Sequence, residues 1–191
     1  RRHAARRKPK ARAACLARSG RAGPVWIDVP LDVQGAPVDP AKLPSWQGIA
    51  SDGAAKDFSS EIETLQSLLA EARRPVLLAG HGVRLAGAAL LFRELAEKLN
   101  IPVVTTWNAL DLLPYDHPLL VGRPGVVALR APNFAVQNCD LLISIGSRLD
   151  NIITAYNPRG FARNAKKVVV DVDRNEIDKL DMEITLPLEA D

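Results

Sequence analysis

Apolar positions along this chain fall into short unbroken runs, separated by segments in which they recur every three or four residues. Between Gln34 and Lys56 neither period appears; that stretch is rich in Gly, Pro, Ser and Asp and reads as a linker. Ser60 and Glu63 then form a capping-box pair, and Ile62, Leu65, Leu68, Leu69 and Ala72 follow at helical spacing. Pro75 ends that helix and opens an apolar run, Val76 to Ala79, that leads into Gly80-His81-Gly82. A second helical pattern carries Ala88, Leu91, Phe92, Leu95 and Leu99 on one face, with Asn100 as its end cap. Pro102 to Thr105 predicts the next strand. Residues 126–138 predict a helix broken or bent near Pro132. Apolar runs at Leu141–Ile145, Lys166–Asp173 and Ile184–Leu188 predict three further strands. PVWIDVP, residues 24–30, predicts one more ahead of the main series, closed by Pro30.

Strands without apolar–polar alternation are buried on both faces, as in parallel sheets covered by helices. Their alternation with amphipathic helices predicts an α/β fold: a doubly wound, mostly parallel, Rossmann-like sheet of about six strands. Right-handed crossovers gather the strand-to-helix loops at one edge of such a sheet, where a ligand would lie. The expected organisation is a basic tail and the end of another domain in 1–34, a linker in 35–57, and the Rossmann-like domain in 58–191.

Charge changes the picture little. The net charge of +3 and pI near 9.0 come from the start of the chain. Residues 1–21 hold nine of the 25 Lys and Arg and no acid, leaving 16 basic against 22 acidic residues elsewhere. A positive charge confined to a tail is a poor footprint for reading phosphate backbones, so no nucleic-acid partner is expected. No apolar run approaches the roughly 18–20 residues that span a bilayer, and no membrane association is expected. The first 20 residues have no apolar core ahead of a cleavage site, so no secretory signal is expected in them. Two cysteines, Cys15 and Cys139, without CxxC spacing fit unpaired thiols in a reducing, cytoplasmic setting and give no metal site.

Two places could carry chemistry. Gly80-His81-Gly82 lies between a strand and a helix, where glycines admit a phosphate to unpaired N–H groups. The dinucleotide fingerprint asks for a small residue where this chain has Leu85, so a structural turn is an equal reading. Gly146-Ser147-Arg148-Leu149-Asp150 and Asp171-Val172-Asp173 offer a cation for phosphate or base and carboxylates for ribose hydroxyls. The other reading of those loops is an ion pair plus a helix N-cap from Asp173. His81 is expected to bond a neighbouring loop and His117 to belong to a turn. With no nucleophile beside a base, no GxSxG and no P-loop lysine, no catalytic residue is expected.

Five ordered segments resemble the thiamine diphosphate enzyme family, most of all its acetolactate synthase-like members. GPVWIDVPLDVQ (23–34) is similar to the end of that family's pyrimidine-binding domain, and RPVLLAGHGV (74–83) to the opening of its central domain. Pro102–Thr106 with LDLLPYDHPLLVG (110–122) resembles the next strand and loop. NFAVQNCDLLISIGSRLDN (133–151) is the most specific match, followed by KKVVVDVDRNEIDKL (166–180). The resemblance implies a central domain, not catalytic alone, of a carboligase or decarboxylase acting on 2-keto acids. Thiamine diphosphate and Mg2+ would be held by other domains, which would also form a homo-oligomer. FAD or ADP would bind here, with Gly80 and Gly82 facing it, Thr105, Gly122 and Gly125 lining it, Arg148 at its nucleotide portion, and Asp150 retained from the family's acidic motif. Asp173 would meet the adenosine end. The chain departs from the family at Trp107-Asn108-Ala109, at Gly122-Arg123-Pro124-Gly125, and at Asn151-Ile152. The competing readings are a free-standing module binding FAD, ADP or NAD, and a spacer that binds nothing.

Overall fold

The computed structural model describes residues 7–39, 41 and 56–191, which form parts of two compact units, 1–56 and 57–191. In the first unit, helices α1 (Arg7–Leu16) and α2 (Leu31–Gln34) flank residues 22–30, which have no regular structure. The strand expected at 24–30 is therefore absent. An extended apolar run becomes a strand only when a neighbour pairs with it, and none does among the described residues. Trp26, at its centre, is 93% exposed. Most of the expected linker, 42–55, lies outside the described residues.

The second unit is a six-stranded sheet in the order β3-β2-β1-β4-β5-β6, parallel at every pairing. Its strands are β1 (Pro75–Ala79), β2 (Val103–Thr105), β3 (Leu120–Gly122), β4 (Leu141–Ile145), β5 (Lys166–Asp171) and β6 (Leu186–Glu189). β3 was not foreseen. It is three residues long and pairs with β2 across a register shift. β6 begins two residues later than its apolar run suggested.

Register explains the two-sided burial. Val103, Leu77, Ile143, Val168 and Leu186 lie side by side across five strands, as do Val104, Leu78, Ser144, Val169 and Pro187 one step on. Adjacent rows project to opposite faces. The Leu77 row packs under α3 (Ser59–Glu71), α4 (Gly82–Leu85) and α5 (Ala89–Leu99) through Leu68, Val83, Phe92 and Ala96. The Leu78 row packs under α6 (Arg130–Asn138), residues 149–165 and α7 (Arg174–Asp178) through Val136, Ile153, Phe161 and Ile177. Helices on both faces make the sheet doubly wound, as its unbroken apolar runs required.

Several element ends differ from expectation for local reasons. α3 starts at Ser59, and Ser60 does not cap it; the Asp57 carboxylate accepts from the Ser59 amide at 3.0 Å and from its hydroxyl at 2.6 Å. Those bonds hold the Asp57 carboxyl below its ordinary range. α5 turns Phe92 and Ala96 inward, leaving Leu91 68% and Leu95 39% exposed. Its end at Asn100 is as expected, left-handed at φ +52°. α6 begins only at Arg130, which places Pro132 in the first turn, where its missing N–H costs no helical bond.

Candidate functional site

Strand order reverses between β1 and β4, since β2 and β3 lie on one side of β1 and β4 to β6 on the other. Open α/β sheets bind ligands at the carboxyl ends of the strands beside such a reversal. Here the two loops at the reversal are locked together. The Gly80 amide donates to the Ile145 carbonyl and the Gly82 amide to the Gly146 carbonyl, each at 2.9 Å. A Cβ on Gly80 would lie 2.1 Å from the Gly146 oxygen, and one on Gly146 would lie 2.7 Å from the Val83 nitrogen. Gly146 itself is left-handed at φ +61°. These glycines allow backbone to meet backbone, so the amides expected to cradle a phosphate already have protein partners.

Beyond Gly146 the chain turns sharply. Leu149, buried and at φ +49°, occupies a region that a side chain of this size enters at a cost of about 1–2 kcal/mol. The turn sets Arg148 toward α7, where its Nε donates to Glu176 Oε2 at 2.9 Å. Lys179 also pairs with Glu176, whose side chain is largely buried. Asp150 accepts from the Ile152 and Ile153 amides at 2.9 and 3.1 Å, closing the turn after it. Asp171 accepts from the Asp173 amide, and Asp173 caps α7 by accepting from the Asn175 amide, both at 3.0 Å. Ion pair and N-cap, one of the two readings of these loops, are both present.

On the other side of the reversal, β2 ends at Thr105, which is fully buried with its Oγ1 unpartnered among the described residues. Thr105 belongs to the same row as Ala79 and Ile145 and so projects beneath α4 and α5, into the core. Trp107 opens a 3-10 turn (Trp107–Leu112) directly after β2, and Arg123 directly follows β3. The Arg123 guanidinium lies over the Trp107 ring, 4.9 Å from its centroid. Gly122 and Gly125 flank Arg123 at φ +119° and +125°. Asn133 clamps Gly125, accepting from its amide at 2.8 Å and donating to its carbonyl at 3.0 Å. The Trp107–Arg123 contact went unseen in the sequence. Its only signal was that both positions follow neighbouring strands and therefore reach the same edge.

His81, His117 and Cys139 have structural partners. His81 Nδ1 lies 2.9 Å from the Asn108 carbonyl, and His117 pairs with Glu97 at 3.5 Å inside its turn. The Cys139 thiol donates to the Val136 carbonyl, and burial pushes its pKa up to about 11. A groove of about 560 Å³ lies between α5 and the 3-10 turn. Its two cations are neutralised, Arg84 by Asp111 at 2.8 Å and Arg93 by Glu97 at 2.9 Å. Among the described residues no three His, Cys, Asp or Glu side chains cluster to hold a metal, and no helix is long and apolar enough to cross a membrane.

A doubly wound parallel sheet serves many functions, so the family must come from the sequence that builds it. Residues 62–191 match the family described as thiamine pyrophosphate enzyme, central domain. The chain belongs to that family. It is 42% identical over 166 residues to the acetolactate synthase isozyme 1 large subunit of Escherichia coli (strain K12), covering 86% of this chain and 28% of that protein. It is 40% identical over 181 residues to the acetolactate synthase large subunit of Corynebacterium glutamicum, covering 92% and 28%. A probable acetolactate synthase large subunit of Methanocaldococcus jannaschii is 40% identical over 167 residues, covering 86% and 28%. The chain thus spans under a third of the length of these relatives, and the thiamine pyrophosphate enzyme central domain accounts for most of it.

Proposed function

We propose that this chain is the structural and nucleotide-binding central domain of a thiamine diphosphate-dependent carboligase or decarboxylase acting on 2-keto acids. The observation that carries this reading is the coincidence of the family match, 62–191, with the whole of the doubly wound sheet. Thiamine diphosphate with Mg2+, held by other domains of the parent protein, supplies the decarboxylation and carbon–carbon bond chemistry. Those domains also carry the contacts of a homo-oligomer, and the parent is a cytoplasmic enzyme.

This domain's own contribution is to fix spacing and to hold FAD or ADP along the carboxyl edge of the sheet. The residues present fit such a ligand through side chains. The Gly80 and Gly82 amides are committed to Ile145 and Gly146, and the loops after β2 and β3 offer an aromatic ring and a cation on a clamped support. Gly122 and Gly125 shape that support. Asp150 and Asp173 hold the loops on the other side of the reversal in place.

The test is direct. Purified chain given pyruvate, thiamine diphosphate and Mg2+ is expected to release carbon dioxide no faster than a protein-free control. Turnover clearly above that control would place catalytic residues within these 191 positions and end the reading.

A further inference from the structure

Five of the ten arginines in residues 57–191 pair with an acid. Arg84 pairs with Asp111, Arg93 with Glu97, Arg148 with Glu176, Arg159 with Asp181 and Arg174 with Asp178. Arg123 differs. Its guanidinium has neither an ion pair nor a side-chain hydrogen bond among the described residues, and what fixes it is the Trp107 ring beneath it. A guanidinium over an aromatic face keeps its in-plane N–H donors free for an oxyanion, while the ring limits the freedom it would lose on binding.

The backbone beneath Arg123 is equally fixed. Gly125 packs closely on the loop after β4, where a Cβ would lie 2.4 Å from the Ile152 oxygen, and its amide donates to Asn133 Oδ1 at 2.8 Å. Pro124 is buried, which limits the loop further. A held cation at the carboxyl edge of a doubly wound sheet, two strands from the reversal's β1 and with no acid on it, is built to receive an anion.

We propose that Arg123, held over Trp107, is a residue of this domain that takes the phosphate groups of a nucleotide. This rests on the nucleotide-binding reading of the edge and adds to it a residue and a ligand group. Arg148 braces α7 through Glu176. Trp107 is a positioning residue that acts through Arg123.

Calorimetric titration of the 191-residue protein with ADP, adenosine and inorganic pyrophosphate tests this. ADP is expected to bind tighter than adenosine, and R123Q to remove that difference, a loss of about tenfold or more in ADP affinity with adenosine little changed. R123K, which keeps the charge without the planar fork, is expected to fall between, and W107L to weaken ADP several-fold while W107F retains most of it. Arg130 lies over Phe134 one turn along the exposed start of α6, and R130Q serves as a charge-matched control with no effect. Unchanged thermal unfolding of each variant shows that it is folded. ADP affinity that survives R123Q within about twofold, or a loss carried by R148Q instead, overturns the assignment. Pyrophosphate binding that depends on Arg123 without any nucleoside binding would sink the nucleotide reading and leave the anion site standing. No binding of any of the three ends both.

Discussion

The Gly82 amide donates to the Gly146 carbonyl at 2.9 Å, and neither residue leaves room for a side chain on the other. This contact joins the loops on either side of the point where strand order reverses. It makes the glycine turn after β1 a seam between β1 and β4, with ligand chemistry displaced to the side chains around it.

Substitution along the seam is expected to be costly. Gly80→Ala would drive its methyl to 2.1 Å from a backbone oxygen, which neither loop can yield without breaking β1–β4 pairing. A loss of about 3 kcal/mol or more is expected, measured by urea denaturation. Gly87→Ala is the contrast. Gly87 is left-handed at φ +69° with nothing near the missing Cβ, so only the conformational cost of about 1–2 kcal/mol is expected. Equal effects at the two positions would contradict the seam.

Asp140 ties the turn before β1 to the start of β4 by accepting from the Arg73 and Arg74 amides at 2.9 and 2.8 Å. Burial opposes its charge, and the two amides outweigh burial and hold its carboxyl below the ordinary 3.8. Because the folded value is the lower one, the contribution is complete at neutral pH and disappears as pH falls below 3.8 through the folded value. Asp140→Asn is expected to cost about 1 kcal/mol at pH 7, after allowance for solvent at a partly exposed site, and progressively less as pH falls through the folded value. A cost that does not shrink on acidification would show that the charge is not what matters.

Most of this architecture could be read from residue order, and the reasons mark where reading stopped. Leu77, Leu78, Ile143, Val168 and Val169 lie in runs with no polar alternation, and only a sheet buried on both faces explains them. Asn100 and Asp173 act locally, so their cap roles were visible without a tertiary structure. β3 was invisible because three residues carry no period, and PVWIDVP misled because pairing depends on a partner strand and not on the run itself. Glycines after β1 and β4 were conspicuous, but sequence cannot tell glycine that admits a ligand from glycine that admits another loop. The Trp107–Arg123 contact depends on β2 and β3 being neighbours, which no spacing within either segment encodes.

Cys139 gives a chemical test of burial. Its thiol is enclosed, bonded to the Val136 carbonyl, and raised to about 11 chiefly by burial, with the Asp140 carboxylate adding to it. Thiolate is the reactive form, so native protein at pH 8 is expected to leave Cys139 unmodified by an aromatic disulfide reagent over the time in which the partly exposed Cys15 reacts. Denaturant should release the second thiol. Two thiols reacting together in native protein would refute the packing of α6 on β4.

Thr105 and Ser144 each bury a hydroxyl without a partner, on opposite faces of the sheet. An unpaired buried hydroxyl costs stability that an apolar isostere does not. Thr105→Val and Ser144→Ala are each expected to hold or raise stability, by up to about 1 kcal/mol. If Thr105→Val instead lowers the melting temperature by several degrees, its Oγ1 has a bonding role that these contacts do not include.

The measurement that bears most directly on a nucleotide-binding edge is an amide NMR titration of the 191-residue protein with ADP. The expected result is a saturable set of shifts confined to the carboxyl edge: the Trp107 indole N–H, the Arg123–Gly125 loop, and Gly146 to Arg148. Saturable shifts clustered at the opposite edge, around Asp140 and Lys166, or a spectrum unchanged at millimolar ADP, would contradict the account.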